Sequence, residues 1–115
     1  MDGRPQLEIL VREGEGCARI CLRGELDVAT AADLSDHLTA LNRSGITELT
    51  VDVAELSYID PAGLFPLVAE QQRATASGMM LRIESPTGFV RDLLTVTGLM
   101  DYLTVSPPRD ETANE

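Results

Sequence analysis

Cysteine and histidine, the side chains most used as nucleophile, general base and zinc ligand, are few in this chain, and they stand apart. Cys17 and Cys21 are the only cysteines, and His37 is the only histidine. If residues 17–21 form a strand, the two thiols share a side about 13 Å apart at ~3.3 Å per residue, beyond the roughly 7 Å that a disulfide spans between Cα atoms. They read as structural or surface thiols. A zinc site needs more ligands than these two and His37, and none of the three sits at zinc-ligand spacing. His37 has no acid or nucleophile at a telling distance along the chain and reads as a solvated surface residue. With one His, no Lys and no matched nucleophile and base, no set of groups is left to carry a reaction. The sequence predicts a protein that is not an enzyme and holds no cofactor or metal.

One segment does not read as generic core or surface. Tyr58-Ile59-Asp60-Pro61-Ala62-Gly63-Leu64 sets an acid, a proline and a glycine at a strand-to-helix junction. Asp60 suits a helix N-cap. Pro61 suits the first helical position, where its fixed φ is already helical and its missing N–H is no loss. A good helix start accounts for both residues. In open α/β sheets, however, binding sites gather at the carboxyl ends of strands, which is where this junction falls.

The elements that must position the junction follow from periodicity. Leu7, Ile9 and Val11 alternate with polar neighbours, a turn at residues 13–16 follows, and Ala18, Ile20 and Leu22 continue on one side of a second strand. Cys17, Arg19, Cys21 and Arg23 occupy its other side, so one face of the sheet is packed and one is wet. Thr30 with Asp33 resembles a capping box at the start of a first helix. Leu34, Leu38 and Leu41 give that helix its apolar stripe, and Gly45 closes it. Residues 48–53 and 79–84 read as buried strands. A helix over 62–77 lies between them, with Leu64, Leu67, Val68 and Ala74 inward and Gly78 as its stop. Pro66 requires that this helix either start near Gly63 or bend. A last helix over 88–97 is expected to bury Phe89, Val90, Leu93 and Leu94. The order ββαβαβα predicts an α/β fold: a mixed β-sheet with helices packed on one face, parallel through right-handed crossovers and edged by an antiparallel N-terminal hairpin.

At 115 residues the chain has room for one core. It divides into a lead of residues 1–5, a folded domain over 6–105, and a polar, acidic, proline-interrupted tail over 106–115 that is expected to be disordered. Nineteen acids against nine Arg give a net charge of -10. That balance repels phosphate backbones and anionic lipid, so direct nucleic-acid binding is not expected and a protein partner is. No apolar run is long enough to span a membrane and the first residues do not form a signal segment, which points to the cytoplasm.

Gly24-Glu25-Leu26-Asp27, Val51-Asp52-Val53 leading to Ile59-Asp60-Pro61-Ala62-Gly63-Leu64, then Ser85-Pro86 and Thr97-Gly98-Leu99 resemble, in order and spacing, the STAS family and within it the bacterial anti-sigma factor antagonists. The resemblance covers about residues 5–105. It implies a STAS-like fold and regulation of sigma-factor-dependent transcription by binding an anti-sigma factor of the serine-kinase type. The contact would centre on Asp27, Asp60, Pro61, Ala62 and Gly63 with the exposed side of the following helix. In that family a hydroxyl after the Asp accepts phosphate from the kinase. Here Pro61 and Ala62 occupy those places, so the family's phosphoacceptor is absent, and Ser57, three residues before Asp60, is the nearest substitute. A homo-oligomer is compatible with the resemblance. The alternative reading is a STAS subunit of another assembly, such as a stress-sensing scaffold or a lipid ABC transporter.

Overall fold

The computed structural model describes residues 6–103, 105 and 106. The expected lead and all of the expected tail except Ser106 lie outside them. Strands β1 (Leu7–Glu13) and β2 (Cys17–Leu26) form the N-terminal hairpin. Helix α1 (Ala31–Arg43), strand β3 (Glu48–Ile59), helix α2 (Pro61–Ser77), strand β4 (Met80–Glu84), helix α3 (Gly88–Val96), a short α4 (Leu99–Tyr102) and β5 (Val105–Ser106) follow. The sheet order is β1-β2-β3-β4-β5. β1 runs antiparallel to β2 and every other pairing is parallel, the mixed sheet that the alternation of elements predicts. α4 and β5 are additions to the expected order.

Alternation decides which face is covered. Ala18, Ile20, Leu22 and Leu26 of β2, Leu49, Val51, Val53, Leu56 and Ile59 of β3, and Leu81 and Ile83 of β4 point into one core. There they join Leu34, Leu38 and Leu41 of α1, Leu64 and Leu67 of α2, and Val90 and Leu94 of α3. Burying such aliphatic side chains contributes about 1.5–3 kcal/mol each, which outweighs any single polar contact on the surface. Among the described residues the opposite face carries no helix, and its side chains form ion pairs. The Arg19 guanidinium bridges Asp52 at 2.8 Å and also reaches Glu84. The Glu84 hydrogen bond is the largest influence raising the arginine's pKa above its usual value; partial burial opposes it, and Asp52 adds to it. Arg23 pairs with Glu55 at 3.0 Å and lies 3.5 Å from Glu8. Cys17 and Cys21 sit on this face as free thiols, exposed and half-buried respectively.

Three local expectations are corrected. β3 runs to Ile59 rather than stopping at Val53, because register shifts at Cys21/Arg23 and Gly24/Glu25 interrupt the period-2 pattern that marks a strand. α2 begins at Pro61, the first helical position expected of that proline, so Pro66 stands in the helix interior and not in the first turn of a helix started late. The ring removes one amide from the ladder, and packing of Gly63, Leu64, Pro66 and Leu67 keeps the helix in place. Thr30 and Asp33 do not form a capping box, since Thr30 gives α1 no side-chain cap.

Candidate functional site

The junction folds as its residue types dictate. Asp60 is extended (φ -122°, ψ 175°), and its Oδ1 accepts the Gly63 N–H at 2.9 Å while Pro61 fills the first helical position. The loop is fastened to the end of β2. The Asp60 N–H donates to the Leu26 carbonyl at 3.2 Å. Gly63 lies so close to the same group that a Cβ there would sit 2.2 Å from the carbonyl oxygen. Only a residue without a side chain fits.

One residue beyond Leu26, Asp27 organises the approach to α1. Its Oδ1 accepts N–H bonds from Ala29 at 2.9 Å and Thr30 at 3.2 Å. The buried Thr30 hydroxyl donates to the Glu25 carbonyl at 2.9 Å and accepts the Asp27 N–H at 2.9 Å. This turn takes the hydroxyl that a capping box would have used. Asp27 and Asp60–Gly63 are therefore brought side by side through Leu26, and both acids are half-buried. Pro61 is exposed, Ala62 half-buried and Gly63 buried. Gly63 thus shapes the surface from beneath.

Two residues flanking the loop were not apparent as candidates from the sequence. Val28 is 76% exposed and Phe65 is 74% exposed. Phe65 could have been found, because it lies about 100° around the helix from Leu64, off the buried side. Val28 belongs to no periodic element and gave no signal. Phe89 was expected in the core, yet it is 50% exposed and stacks on Tyr58, with ring centroids 5.3 Å apart. Leu93 and Val68, also expected inward, are half-buried. His37 is exposed, as expected. Ser57 is exposed as well, and its hydroxyl donates to the Gly24 carbonyl at 3.0 Å.

The helices that frame the loop carry one buried charge. Glu70 of α2 is 2% exposed. Its Oε1 accepts from the Asn42 side chain of α1 at 3.1 Å and lies 3.7 Å from Arg73, while Oε2 is buried without a hydrogen-bond partner. Burial raises its pKa above the ordinary glutamate value, against the opposing pull of Asn42 and Arg73. The junction itself has Glu25, Asp27 and Asp60 around it. Arg43 closes α1 and Arg73 lies late in α2, toward the opposite end of the sheet. Between Ile59 and Leu64 there is no hydroxyl, thiol, imidazole or amine. The arrangement offers apolar area beside acid, a surface suited to association.

A family model described as "Mlab, STAS domain" matches residues 9–105. The chain is similar to the anti-sigma-B factor antagonist of Bacillus subtilis (strain 168), being 27% identical over 100 residues that cover 87% of this chain and 91% of that protein. It is 30% identical over 83 residues to the anti-sigma-B factor antagonist of Staphylococcus aureus (strain NCTC 8325 / PS 47), covering 72% and 77% respectively. Among solved structures, an anti-sigma factor antagonist from Mycobacterium paratuberculosis shares the fold with a TM-score of 0.81 at 20% identity, covering 94% of this chain and 92% of that one.

Proposed function

We propose a function from one premise: this chain belongs to the STAS domain family, of the anti-sigma factor antagonist type. The chain binds an anti-sigma factor by protein contact and so frees a sigma factor for transcription. It acts in the cytoplasm and catalyses nothing. Asp27, Asp60, Pro61, Ala62 and Gly63 form the centre of the contact, extended by Val28 and Phe65. The observation that carries this reading is the fastening of the α2 loop to Leu26, which sets two half-buried acids, Asp27 and Asp60, beside the exposed Val28, Pro61 and Phe65 on one corner.

The same corner cannot be switched in the family's manner. A phosphate adds about -1.5 to -2 charges, enough to break a close contact by repulsion and desolvation. Pro61 and Ala62 have no side-chain hydroxyl to receive it. The chain then stays competent to bind, and its abundance or a third component sets the output.

The test mixes the purified chain, a serine-kinase-type anti-sigma factor from the same genome, and ATP. A stable complex is expected, with no label in the peptide over residues 58–64, whereas Pro61→Ser makes that peptide labelable. Phosphate on the unaltered loop would refute the locked state. Failure of the complex to form, with ABC transporter subunits or a stress scaffold co-purifying in its place, would move the chain to the alternative reading.

A further inference from the structure

Helix α3 carries two apolar stripes where the fold needs one. Val90 and Leu94 point into the core. Phe89, Leu93 and Val96 recur at i, i+4 and i+7 on a second side, with Phe89 at 50% and Val96 at 82% exposed and Leu93 half-buried. Tyr58 extends the stripe at the Phe89 end through the ring stack. Exposed Tyr58, Phe89 and Val96 lined up along a Leu93 that is half packed on the core differ from the isolated surface apolar residues that every protein has. Tyr58 lies two residues before Asp60, so this row is continuous with the corner described above.

Charge decides what can cover it. Glu25 is the register partner of Tyr58 across the β2–β3 ladder, and Asp92 lies three residues from Phe89 and four from Val96. Both are exposed. Arg91 is also exposed but sits about 200° around the helix from Phe89, on the far side. A second copy of the chain would set one acidic rim against another at a net charge of -10 each. Residues 107–115 hold three acids, one Arg and no large apolar side chain, and so fit the row no better.

We propose that Tyr58, Phe89, Leu93 and Val96 form a second contact surface that takes an apolar segment flanked by basic residues from the anti-sigma factor. This rests on the proposed function and adds a surface that the loop alone would not supply. The partner spans from Asp60 to Val96, anchored by apolar contact and oriented by Glu25 and Asp92.

The experiment measures binding of the full chain to the purified anti-sigma factor by surface plasmon resonance, using Phe89→Ser, Val96→Glu, Asp92→Arg and Arg91→Ala, with Asp60→Arg as the loop variant. Phe89→Ser and Val96→Glu should each weaken Kd at least about tenfold. Asp92→Arg should slow association several-fold, and Arg91→Ala should leave Kd within about twofold. Val96 is so exposed that its replacement cannot act through unfolding, which a melting curve checks. If Asp60→Arg abolishes binding while the Phe89 and Val96 variants bind as wild type, the second surface is refuted and the proposed function stands. If the unaltered chain does not bind, both fall. Concentration-dependent dimerisation abolished by Val96→Glu would overturn the proposal in favour of a second copy.

Discussion

Gly63 and Leu26 constrain one another more tightly than any other pair in the candidate site. Gly63→Ala must push its new methyl into the Leu26 carbonyl, a contact of 2.2 Å on the unrelaxed backbone. The strand end or the first turn of α2 has to move, at a cost of about 2 kcal/mol or more. A urea titration checks this, with the midpoint falling and the slope unchanged. An equal midpoint would mean that the junction is not tight. Asp60 and Pro61 were legible in the sequence because a helix start is set by neighbours within three residues. The reason for Gly63 was not, since its constraint comes from a strand far away in the chain. Phe89 misled for a related cause: an apolar residue one position from Val90 can join the core stripe or the one beside it, and only the position of Tyr58 shows which.

At the scale of elements, α1 and α2 meet through Asn42 and Glu70, and this contact titrates. The folded protein holds the Glu70 proton more firmly than the unfolded chain does, because burial disfavours the carboxylate. The contribution to stability is therefore fully present below the unfolded value of about 4.5 and is lost as pH rises through the raised folded value. Asn42 and Arg73 face the same oxygen and limit the loss. Glu70→Gln, which stays neutral, should erase this decline: as pH rises above about 4.5 the variant gains stability relative to wild type, read from urea midpoints at each pH. A difference that does not change with pH would show that Glu70 is not titrating there. Helix α1 and the hairpin were readable because each keeps one period throughout. The second half of β3 was not, because irregular pairing with β2 replaces alternation by the burial order of Val53, Leu56 and Ile59.

Over the whole molecule, the sheet separates two kinds of stabilisation. One face is sealed by helices over an aliphatic core; the other carries Arg12, Arg19, Arg23 and Arg82 among Glu8, Asp52, Glu55 and Glu84. Arg19 and Arg23 are committed to acids on this face, while Glu25, Asp27 and Asp60 gather at the loop corner of a chain whose net charge is -10. Association with a basic anti-sigma surface should then be steered electrostatically. Raising salt from about 0.05 to about 0.5 M should slow association roughly tenfold with little change in dissociation, as seen by stopped flow. An association rate that rises with salt would mean that the partner surface is not basic. The fold class was open to the sequence because element order and parallel crossovers leave few topologies. The acidity of one corner was not, since it depends on which acids find an arginine in three dimensions. The opening turn of α2 has one more consequence. Asp60 occupies the Gly63 amide, its carbonyl accepts from Leu64, and Pro61 has no amide to offer. Helix beginnings commonly cradle oxyanions with these groups. Of the first four residues of this helix only Ala62 keeps an amide that is neither missing nor engaged by Asp60, so free sulfate or inorganic phosphate meets a poor seat at this turn.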